Sequence, residues 1–394
     1  AFETAVAEAL VRYPYSAVFP RLLFRHAAKK TIPTERERAL VEDALKRLPS
    51  LLKADGELIR FAAPFIGNIE ESRRLLSIWR SGELGRLSEE SASGVPSAKR
   101  WTALLESLPV SLEIGLIDEE TAINELFHQD SAAAESPELE REILFSVWDL
   151  LRTDEARAAM RNELSSFSGT ITGDENGDGI IDSITLYDEG IVVSYSQDAD
   201  QDRVNELVVA FDAGWPVNTE FTYANGTGYG GEDKILLVWD VYPALREAVW
   251  GETRYVFRPM EFNCPVTGFE TLGGPGGILL PDGAADGGFS KQTFLSYAYL
   301  IERPGRDFPG GIERFECDNG VVLSSKEYLD GVLRAETAYE NGQPVLQRID
   351  LDADGRLETI RRFKRTADTI LSSEIEVIES DWDGDGFAEY REAQ

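Results

Sequence analysis

The chain has 394 residues and a formal net charge of −32 at pH 7, from 39 Lys and Arg against 71 Asp and Glu. Such a charge repels nucleic acid and anionic membrane surfaces and attracts cations, which argues against DNA or RNA as a partner. No apolar run approaches the roughly 18 residues of a transmembrane helix, and the length suits two or three domains.

Residues 1–167 show the apolar period of about 3.6 residues that is typical of amphipathic helices. Thr34 and Glu37 have the spacing of a capping box, and the apolar pattern of residues 69–80 predicts a helix that stops at Gly82. Ser136 and Pro137, followed by Glu138, predict another helix start. About eight helices of this kind predict hairpins stacked as a solenoid, similar to tetratricopeptide repeats in pattern only, with a compact bundle as the alternative.

Beyond residue 168 the apolar period changes to 2, which is typical of β-strands. We therefore predict an α+β, multidomain chain, with a helical domain over residues 1–167 and an antiparallel β meander over residues 168–394. The glycine-rich stretch 268–288 is predicted to be a mobile loop or a linker that divides the β domain. The candidate strands are 191–196, 206–211, 220–223, 234–242, 254–257, 332–338, 345–349, 358–363 and 374–378.

Four short acidic ladders stand out in the β region. Each places a side-chain oxygen at positions 1, 3 and 5 and a carboxylate at position 9, and three have glycine at position 6. This spacing lets one tight loop wrap a hard cation, and Ca²⁺ accepts 6–8 oxygen ligands. The predicted metal ligands are Asp174, Asn176, Asp178 and Asp182; Asp198, Asp200, Asp202 and Glu206; Asp350, Asp352, Asp354 and Glu358; and Asp381, Asp383, Asp385 and Glu389.

The ladders are shorter than an EF-hand loop, in which a bidentate Glu at position 12 closes the site. Position 12 is Thr185, Val209, Arg361 and Glu392 here, so the acid at position 9 is the expected closing ligand. Strand-like residues rather than helices come after the ladders. In these respects they resemble the calcium loops of FG-GAP and VCBS-type β-repeats, and more distantly those of dockerin and thrombospondin type 3 modules. The resemblance implies that positions 1, 3, 5 and 9 hold Ca²⁺.

A metal-free alternative treats the ladders as solvated turns, because Asp-Gly and Asn-Gly pairs favour turns in any case. Asp330-Gly331 and Asn341-Gly342 are turns of this kind without a ladder. The ladder at Asp198 is expected to be the weakest calcium site. Arg203 occupies its position 6, where the loop requires a positive φ, and brings a positive charge.

Cys264 and Cys317 are the only cysteines, and they are either one disulfide or two separate buried residues. Weak calcium sites, with dissociation constants of about 10⁻⁴–10⁻³ M, are typical of extracellular modules. The sequence therefore predicts an extracytoplasmic protein of the bacterial periplasm, envelope or secreted space.

No catalytic motif such as HExxH, a nucleophile elbow or a CxxC pair occurs in the chain. We expect a non-enzymatic, calcium-binding protein that acts as a scaffold, adhesin or assembly factor by binding a protein partner through its helical domain. The alternative is a secreted carbohydrate-active enzyme or sugar-binding module with structural calcium. An enzyme would require a cleft with perturbed carboxylates, whereas a scaffold would have a groove on its helices.

Overall fold

The computed structural model describes residues 2–28, 34–92, 98–127, 138–174, 176, 178–222, 234–272, 278–284, 290–364, 375–383 and 387–393. The chain forms two compact units. Unit 1 consists of Ala1–Ile181, Leu186–Gly190 and Thr271–Ile278, and unit 2 consists of Asp182–Thr185, Ile191–Glu270 and Leu279–Gln394. Helices dominate the N-terminal part and an antiparallel sheet dominates the rest, as the sequence predicts.

The helices formed by residues 2–113 of unit 1 pack around an apolar core. Leu23, Phe24, Leu58 and Leu76 are fully buried in it, and each buried side chain of this size contributes about 1.5–3 kcal/mol. The helices are α1 (Phe2–Arg12), α2 (Val18–Ala28), α3 (Glu35–Ala54), α4 (Leu58–Ala62), α5 (Ile69–Ala92), α6 (Ala98–Leu105), α7 (Leu108–Glu113), α8 (Glu119–Phe127), α9 (Arg141–Leu150) and α10 (Asp154–Ser165), with a 3₁₀ turn at Ala63–Phe65.

The capping box at the start of α3 is confirmed. The Thr34 side chain accepts a hydrogen bond from the Glu37 amide at 3.1 Å, and the Glu37 carboxylate accepts one from the Thr34 amide at 2.8 Å. The two bonds satisfy two of the amides that a helix start leaves without intrahelical partners.

Two predicted helix boundaries are wrong. Helix α5 continues through Gly82 to Ala92, because Trp79 and Leu87 on either side of the glycine are both buried in the core, and that burial outweighs the about 1 kcal/mol cost of glycine in a helix. Glu138 lies in a strand rather than in a first helical turn, whereas Ser136 and Pro137 lie outside the described residues.

That strand, β1 (Glu138–Glu140), pairs in parallel with β2 (Gly169–Gly173) in unit 1. Leu139 is its fully buried central residue and lies opposite Ile171, which is also buried. The pairing and burial of Leu139 explain why the chain is extended here, and helix α9 begins only at Arg141.

Unit 2 is built on a long antiparallel meander in which each strand pairs with the next, and β9 pairs with β12. The strands that follow β2 along the chain are β3 (Ser183–Asp188), β4 (Ile191–Gln197), β5 (Leu207–Asp212), β6 (Trp215–Thr222), β7 (Lys234–Val241), β8 (Ala244–Trp250), β9 (Thr253–Phe257), β10 (Thr267–Leu272), β11 (Ile278–Ala284), β12 (Ala298–Pro304), β13 (Ile312–Asp318), β14 (Val321–Leu329), β15 (Val332–Glu340), β16 (Gln343–Ile349), β17 (Thr359–Phe363), β18 (Ile375–Ser380) and β19 (Tyr390–Ala393). Of these, β3, β10 and β11 each have residues in both units, and β10 and β11 are not part of the meander.

The glycine-rich stretch is not simply a mobile loop or linker. Its described parts belong to β10 and β11, which form a separate two-stranded sheet. A short helix, α11 (Lys291–Tyr297), then leads into β12. Residues 273–277 and 285–289 of the stretch lie outside the described part of the chain.

Hairpin turns confirm the predicted turn chemistry. Asp330 and Asn341 have φ of 51° and 52°, and the glycines that follow them have φ of 79° each. Paired positive φ values match the right-handed twist of the flanking strands and are typical of two-residue hairpin turns.

No helix in the described part of the chain is both long and apolar enough to cross a membrane.

Candidate metal centre

Three of the acidic ladders form loops at the same end of the meander strands. Residues 198–206 connect β4 with β5, residues 350–358 connect β16 with β17, and residues 381–389 connect β18 with β19. Strand direction alternates at every pairing from β4 to β9 and from β12 to β19, and it also alternates between β9 and β12. The loops that come after β4, β16 and β18 therefore emerge at one end of the sheet.

In each of these loops the carboxylates converge. One oxygen from every member lies within 4.8 Å of one oxygen from every other member. Carboxylates at this separation repel one another unless a proton or a cation lies between them. The groups are Asp198, Asp200, Asp202 and Glu206; Asp350, Asp352, Asp354 and Glu358; and Asp381, Asp383 and Glu389. Asp385, the predicted fourth member of the last group, lies outside the described residues.

A repeated set of backbone hydrogen bonds shapes the loop at Asp350. The amide at position 6 donates a hydrogen bond to the carboxylate at position 1. The amide at position 5 donates to the acid at position 3, and the amide at position 7 donates to the acid at position 5. The amide at position 2 donates to the acid at position 9. The distances are 3.1 Å for Gly355 to Asp350, 3.1 Å for Asp354 to Asp352, 2.8 Å for Arg356 to Asp354 and 3.1 Å for Leu351 to Glu358.

The loop at Asp198 repeats this pattern bond for bond. The distances are 2.9 Å for Arg203 to Asp198, 3.1 Å for Asp202 to Asp200, 2.8 Å for Val204 to Asp202 and 2.7 Å for Ala199 to Glu206. In the loop at Asp381 the Trp382 amide donates to Glu389 at 2.7 Å, which is the same bond from position 2 to position 9. The spacing of the acids therefore produces a common conformation in the loops at Asp198 and Asp350, and the described part of the loop at Asp381 shares one of its bonds.

In the loops at Asp350 and Asp198 the backbone has positive, left-handed φ angles at positions 4 and 6. The φ angles are 70° at Ala353 and 90° at Gly355, and 62° at Gln201 and 74° at Arg203. Glycine adopts such angles without strain, whereas a residue with a side chain has a conformational strain of roughly 1–2 kcal/mol at these angles. Arg203 thus adopts the positive φ that its position in the ladder predicts.

Several carboxylate oxygens in the loops are buried but have no hydrogen-bond partner. They are Oδ1 of Asp198, Oε1 of Glu206 and Oε2 of Glu358. More than 90% of buried polar groups in proteins have a partner. Because these oxygens belong to the converging groups, a hard cation bound among the carboxylates would satisfy them. The donor set therefore fits a divalent cation.

The electrostatics of Glu206 agree with this fit. Burial raises the pKa of Glu206, and the neighbouring Asp200 carboxylate raises it further, against the lowering effect of the Ala199 amide. Without a cation the group is thus driven towards taking up a proton. A cation at the same place would reverse the effect, because a positive charge favours the ionised carboxylate.

The first ladder differs from the other three. Asp174, Asn176 and Asp178 lie in unit 1, where the amides of Gly179 and Asp178 donate to Asp174 at 2.8 Å and 3.0 Å. Asp182 belongs to unit 2 and accepts a hydrogen bond from Gln201 at 3.0 Å. Among the described residues, the converging carboxylate groups do not include this ladder.

Consecutive ladders are joined by the same backbone hydrogen bond. The amide of Asp381, at position 1, donates to the carbonyl of Glu358, at position 9 of the preceding ladder, at 3.2 Å. The amide of Asp198 donates to the carbonyl of Asp182 at 2.8 Å. The ladders of unit 2 at Asp350 and Asp381 are therefore direct neighbours.

Arg334 supports the loop at Asp350, in a role that the ladder spacing does not predict. Its guanidinium donates to the Asp350 carbonyl at 2.7 Å and 3.1 Å, lies 3.5 Å from the Asp350 carboxylate, and stacks over the Phe308 ring at 4.6 Å. Asp350 is fully buried, and Arg334 is 8% exposed. A charged residue at the centre of a predicted strand was the only signal that could have indicated this role.

A pair of buried carboxylates lies elsewhere on the sheet. Glu313 and Glu327 are directly opposite each other on β13 and β14, and both are less than 5% exposed. Burial raises the pKa of Glu327, and the charges of Asp307 and Glu313 raise it further. The Glu327 carboxylate accepts the amides of Asp307 and Phe308 at 2.7–3.2 Å, so it anchors the turn between β12 and β13.

Glu313 is also occupied. It accepts hydrogen bonds from Arg303 at 2.8 Å and 3.1 Å and from Ser325 at 3.0 Å. Carboxylates engaged in this way hold the sheet together.

The two cysteines are free and buried, and burial raises the pKa of each thiol to about 11.

Comparison with known proteins gives no family to which the chain can be assigned. No protein-family profile matches the sequence, and no curated protein does. The function of the chain must therefore be inferred from the geometry of its loops and helices.

Proposed function

We propose that the acidic loops of unit 2 bind Ca²⁺ and that the bound ions stabilise the β meander. The observation that carries the proposal is the set of buried carboxylate oxygens without partners at Asp198, Glu206 and Glu358. A buried polar group left unsatisfied costs about 1–3 kcal/mol, and more if it is charged. One cation in the loop at Asp198 and a second in the loop at Asp350 would supply the missing partners of these oxygens.

Ca²⁺ suits these loops better than Mg²⁺. The ligands are all oxygens on a flexible loop, and Asp352 and Asp354 at positions 3 and 5 are exposed, so water can complete the coordination. Mg²⁺ requires a compact octahedron and gives up its water reluctantly, whereas Ca²⁺ accepts 6–8 oxygens at about 2.3–2.6 Å. We infer that the loops are of the FG-GAP and VCBS type.

The wider role that we propose is that of a non-enzymatic scaffold, adhesin or assembly factor outside the cytoplasm. Low-affinity calcium loops are filled at about 10⁻⁴–10⁻³ M calcium, which extracellular and periplasmic fluids supply. Residues 169–394 carry a charge of −25, against −7 for residues 1–168, so the β region is the part that cations stabilise. The helices, arranged as stacked hairpins, would provide the surface for a protein partner.

Isothermal titration of the intact chain with CaCl₂ and with MgCl₂ tests the proposal. We expect heat from Ca²⁺ at millimolar concentration and much less from Mg²⁺. The variant Asp354→Ala should lose one bound ion, whereas Asp240→Ala, which removes an exposed carboxylate from β7, should retain all of them. Equal responses to the two metals, or equal stoichiometry in the two variants, would rule the proposal out.

A further inference from the structure

A groove of about 710 Å³ lies on unit 1 between helices α8 and α10. Its apolar floor is formed by Ile117, Ile123, Leu150 and Ala156. Ile117 and Leu150 are partly exposed, whereas Ile123 is only 4% exposed. A groove between two helices with an apolar floor is the kind of surface that accepts an amphipathic helical segment.

The rim of the groove is strongly acidic. Its acidic residues are Glu113, Asp118, Glu119, Glu120, Glu155 and Glu163, and Arg152 is the only basic residue among the described residues that line it. Residues 1–168 as a whole contain 28 acidic and 21 basic residues. The ratio of six to one at the groove is therefore not explained by the composition of the helical region.

Two of these acids are used in folding. Asp118 accepts the amide of Thr121 at 2.8 Å at the start of α8. Glu119 accepts hydrogen bonds from the backbone amide of Arg152 and from the Thr153 side chain, and the Thr153 bond is the main reason why the pKa of Glu119 is lowered. Asp118 therefore caps the start of α8, and Glu119 joins α8 to the turn that precedes α10.

Three other acids have no such task. Glu113, Glu120 and Glu155 are exposed, and within the described part of the chain the structure gives their carboxylates no hydrogen bond and no ion pair. They lie on three different elements, α7, α8 and α10. Negative charge thus lies on several sides of the apolar floor, and Arg152 is the one basic side chain among the described residues that line the groove.

We propose that this groove docks a basic, amphipathic helical segment of a partner protein. Apolar side chains of that segment would contact Ile117, Ile123 and Leu150, and its Lys or Arg side chains would reach Glu113, Glu120 and Glu155. The inference rests on the proposed scaffold role, and it specifies both the surface and the chemistry of the partner. Complementary charge would speed the encounter, and the apolar contacts would hold the segment in place.

The test uses the intact chain and a fluorescent Leu/Lys amphipathic peptide of about 14 residues, or roughly four helical turns. The groove variant is Glu113→Gln, Glu120→Gln and Glu155→Gln combined. The control variant is Glu8→Gln, Glu42→Gln and Glu89→Gln, which removes the same charge from exposed positions on α1, α3 and α5. Circular dichroism of both variants checks that the helices remain folded.

We expect the groove variant to bind the peptide about tenfold more weakly and the control variant to bind like the parent chain, since the groove variant loses three exposed ion pairs, each of which strengthens binding only modestly. Binding should weaken when NaCl rises from about 0.05 to about 0.5 M. Equal losses in the two variants would overturn the inference, because they would indicate diffuse charge attraction. Equal binding of a Lys/Ser peptide without apolar residues, or full displacement by spermidine, would also overturn it.

A calcium titration of the same samples separates this inference from the proposed function. Calcium binding without any peptide binding would leave the calcium proposal standing and overturn the docking site. Peptide binding that depends on the groove acids, in a chain that binds no calcium, would support the docking site and overturn the calcium proposal.

Discussion

The buried charges of Asp350 and Arg334 fix the position of the loop at residues 350–358. Position 1 of the ladder at Asp350 is fully buried, whereas positions 3 and 5 are exposed. The buried acid is balanced from within the protein by Arg334, and the exposed acids face the solvent from which a cation would enter. The sequence predicts the acids by their spacing, but it does not show which of them are buried.

Replacing Arg334 with Met should destabilise unit 2 by about 2–4 kcal/mol, because the change removes hydrogen bonds to the Asp350 carbonyl and leaves a buried carboxylate without its counter-charge. The loss should be smaller in millimolar calcium than in EGTA, since a cation balances the same carboxylate. Arg348→Met, on the neighbouring strand, removes a half-exposed ion pair at 3.6 Å and should cost less than about 1 kcal/mol. Urea unfolding of both variants measures the difference; similar losses would contradict the assigned role of Arg334.

Glu327 gives a prediction about pH. Its pKa is raised in the folded protein, so the folded state favours the protonated carboxyl. The stability that this group contributes is complete below the unfolded pKa of about 4.3 and is lost as the pH rises through the folded value. The stability difference between the parent chain and Glu327→Gln should therefore move in favour of the parent as the pH falls from about 7 to about 5.

Thermal unfolding in EGTA measures this difference without interference from bound calcium. Glu316→Gln is the control, because Glu316 is an exposed carboxylate on the adjacent strand β13. If the difference for Glu327→Gln stayed constant over this pH range, the carboxyl would not titrate differently in the folded and unfolded states.

At the scale of elements, the loops are connected rather than independent. The hydrogen bond from the Asp381 amide to the Glu358 carbonyl joins the last ligand of one loop to the first ligand of the next. If calcium binds at residues 350–358, we expect it to order Glu358 and thereby to prepare the loop at residues 381–389 for its own ion. Such ordering by a first ligand gives positive cooperativity.

The variant Asp354→Ala should therefore do more than remove one ion. We expect calcium affinity at the loop 381–389 to fall severalfold, by a coupling free energy of about 1 kcal/mol or more, whereas affinity at the loop 198–206 should not change. Trp382 lies at position 2 of the affected loop and is 63% exposed, so its fluorescence can follow that site. Unchanged affinity at the loop 381–389 would show that the two loops bind independently.

Local patterns predicted many elements well and missed others for a physical reason. Strand β7 was predicted at 234–242 and spans Lys234–Val241, because its alternating apolar residues face the core. Strands β12, β13 and β14 were missed, since the buried positions of β13 and β14 include Glu313, Ser325 and Glu327 rather than only apolar residues. Polar residues that satisfy one another inside a sheet remove the apolar alternation on which prediction depends.

At the scale of the whole molecule, the two parts of the chain differ in net charge. The acidic excess lies beyond residue 168, and the converging carboxylate groups among the described residues all belong to unit 2. Binding to the native state alone adds about 2.7 kcal/mol per site at a hundredfold excess over Kd. Calcium should therefore act on the sheet and leave the helices largely unaffected.

Hydrogen exchange of the intact chain, with calcium and with EGTA, tests this division segment by segment. We expect EGTA to speed exchange in β4, β5 and β16–β19, the strands that flank the three loops, and to leave the helices α2, α3 and α5 unchanged. Equal acceleration in the helices would indicate that calcium stabilises the chain through some feature other than the loops.

The most direct test of the central claim is a crystal structure of the intact chain grown in millimolar calcium, with the anomalous signal measured at each loop. We predict a cation inside the loops at residues 198–206, 350–358 and 381–389, with oxygens of positions 1, 3, 5 and 9 at about 2.3–2.6 Å from it. Loops that hold only water, or carboxylates that turn away from one another into solvent, would contradict the calcium assignment.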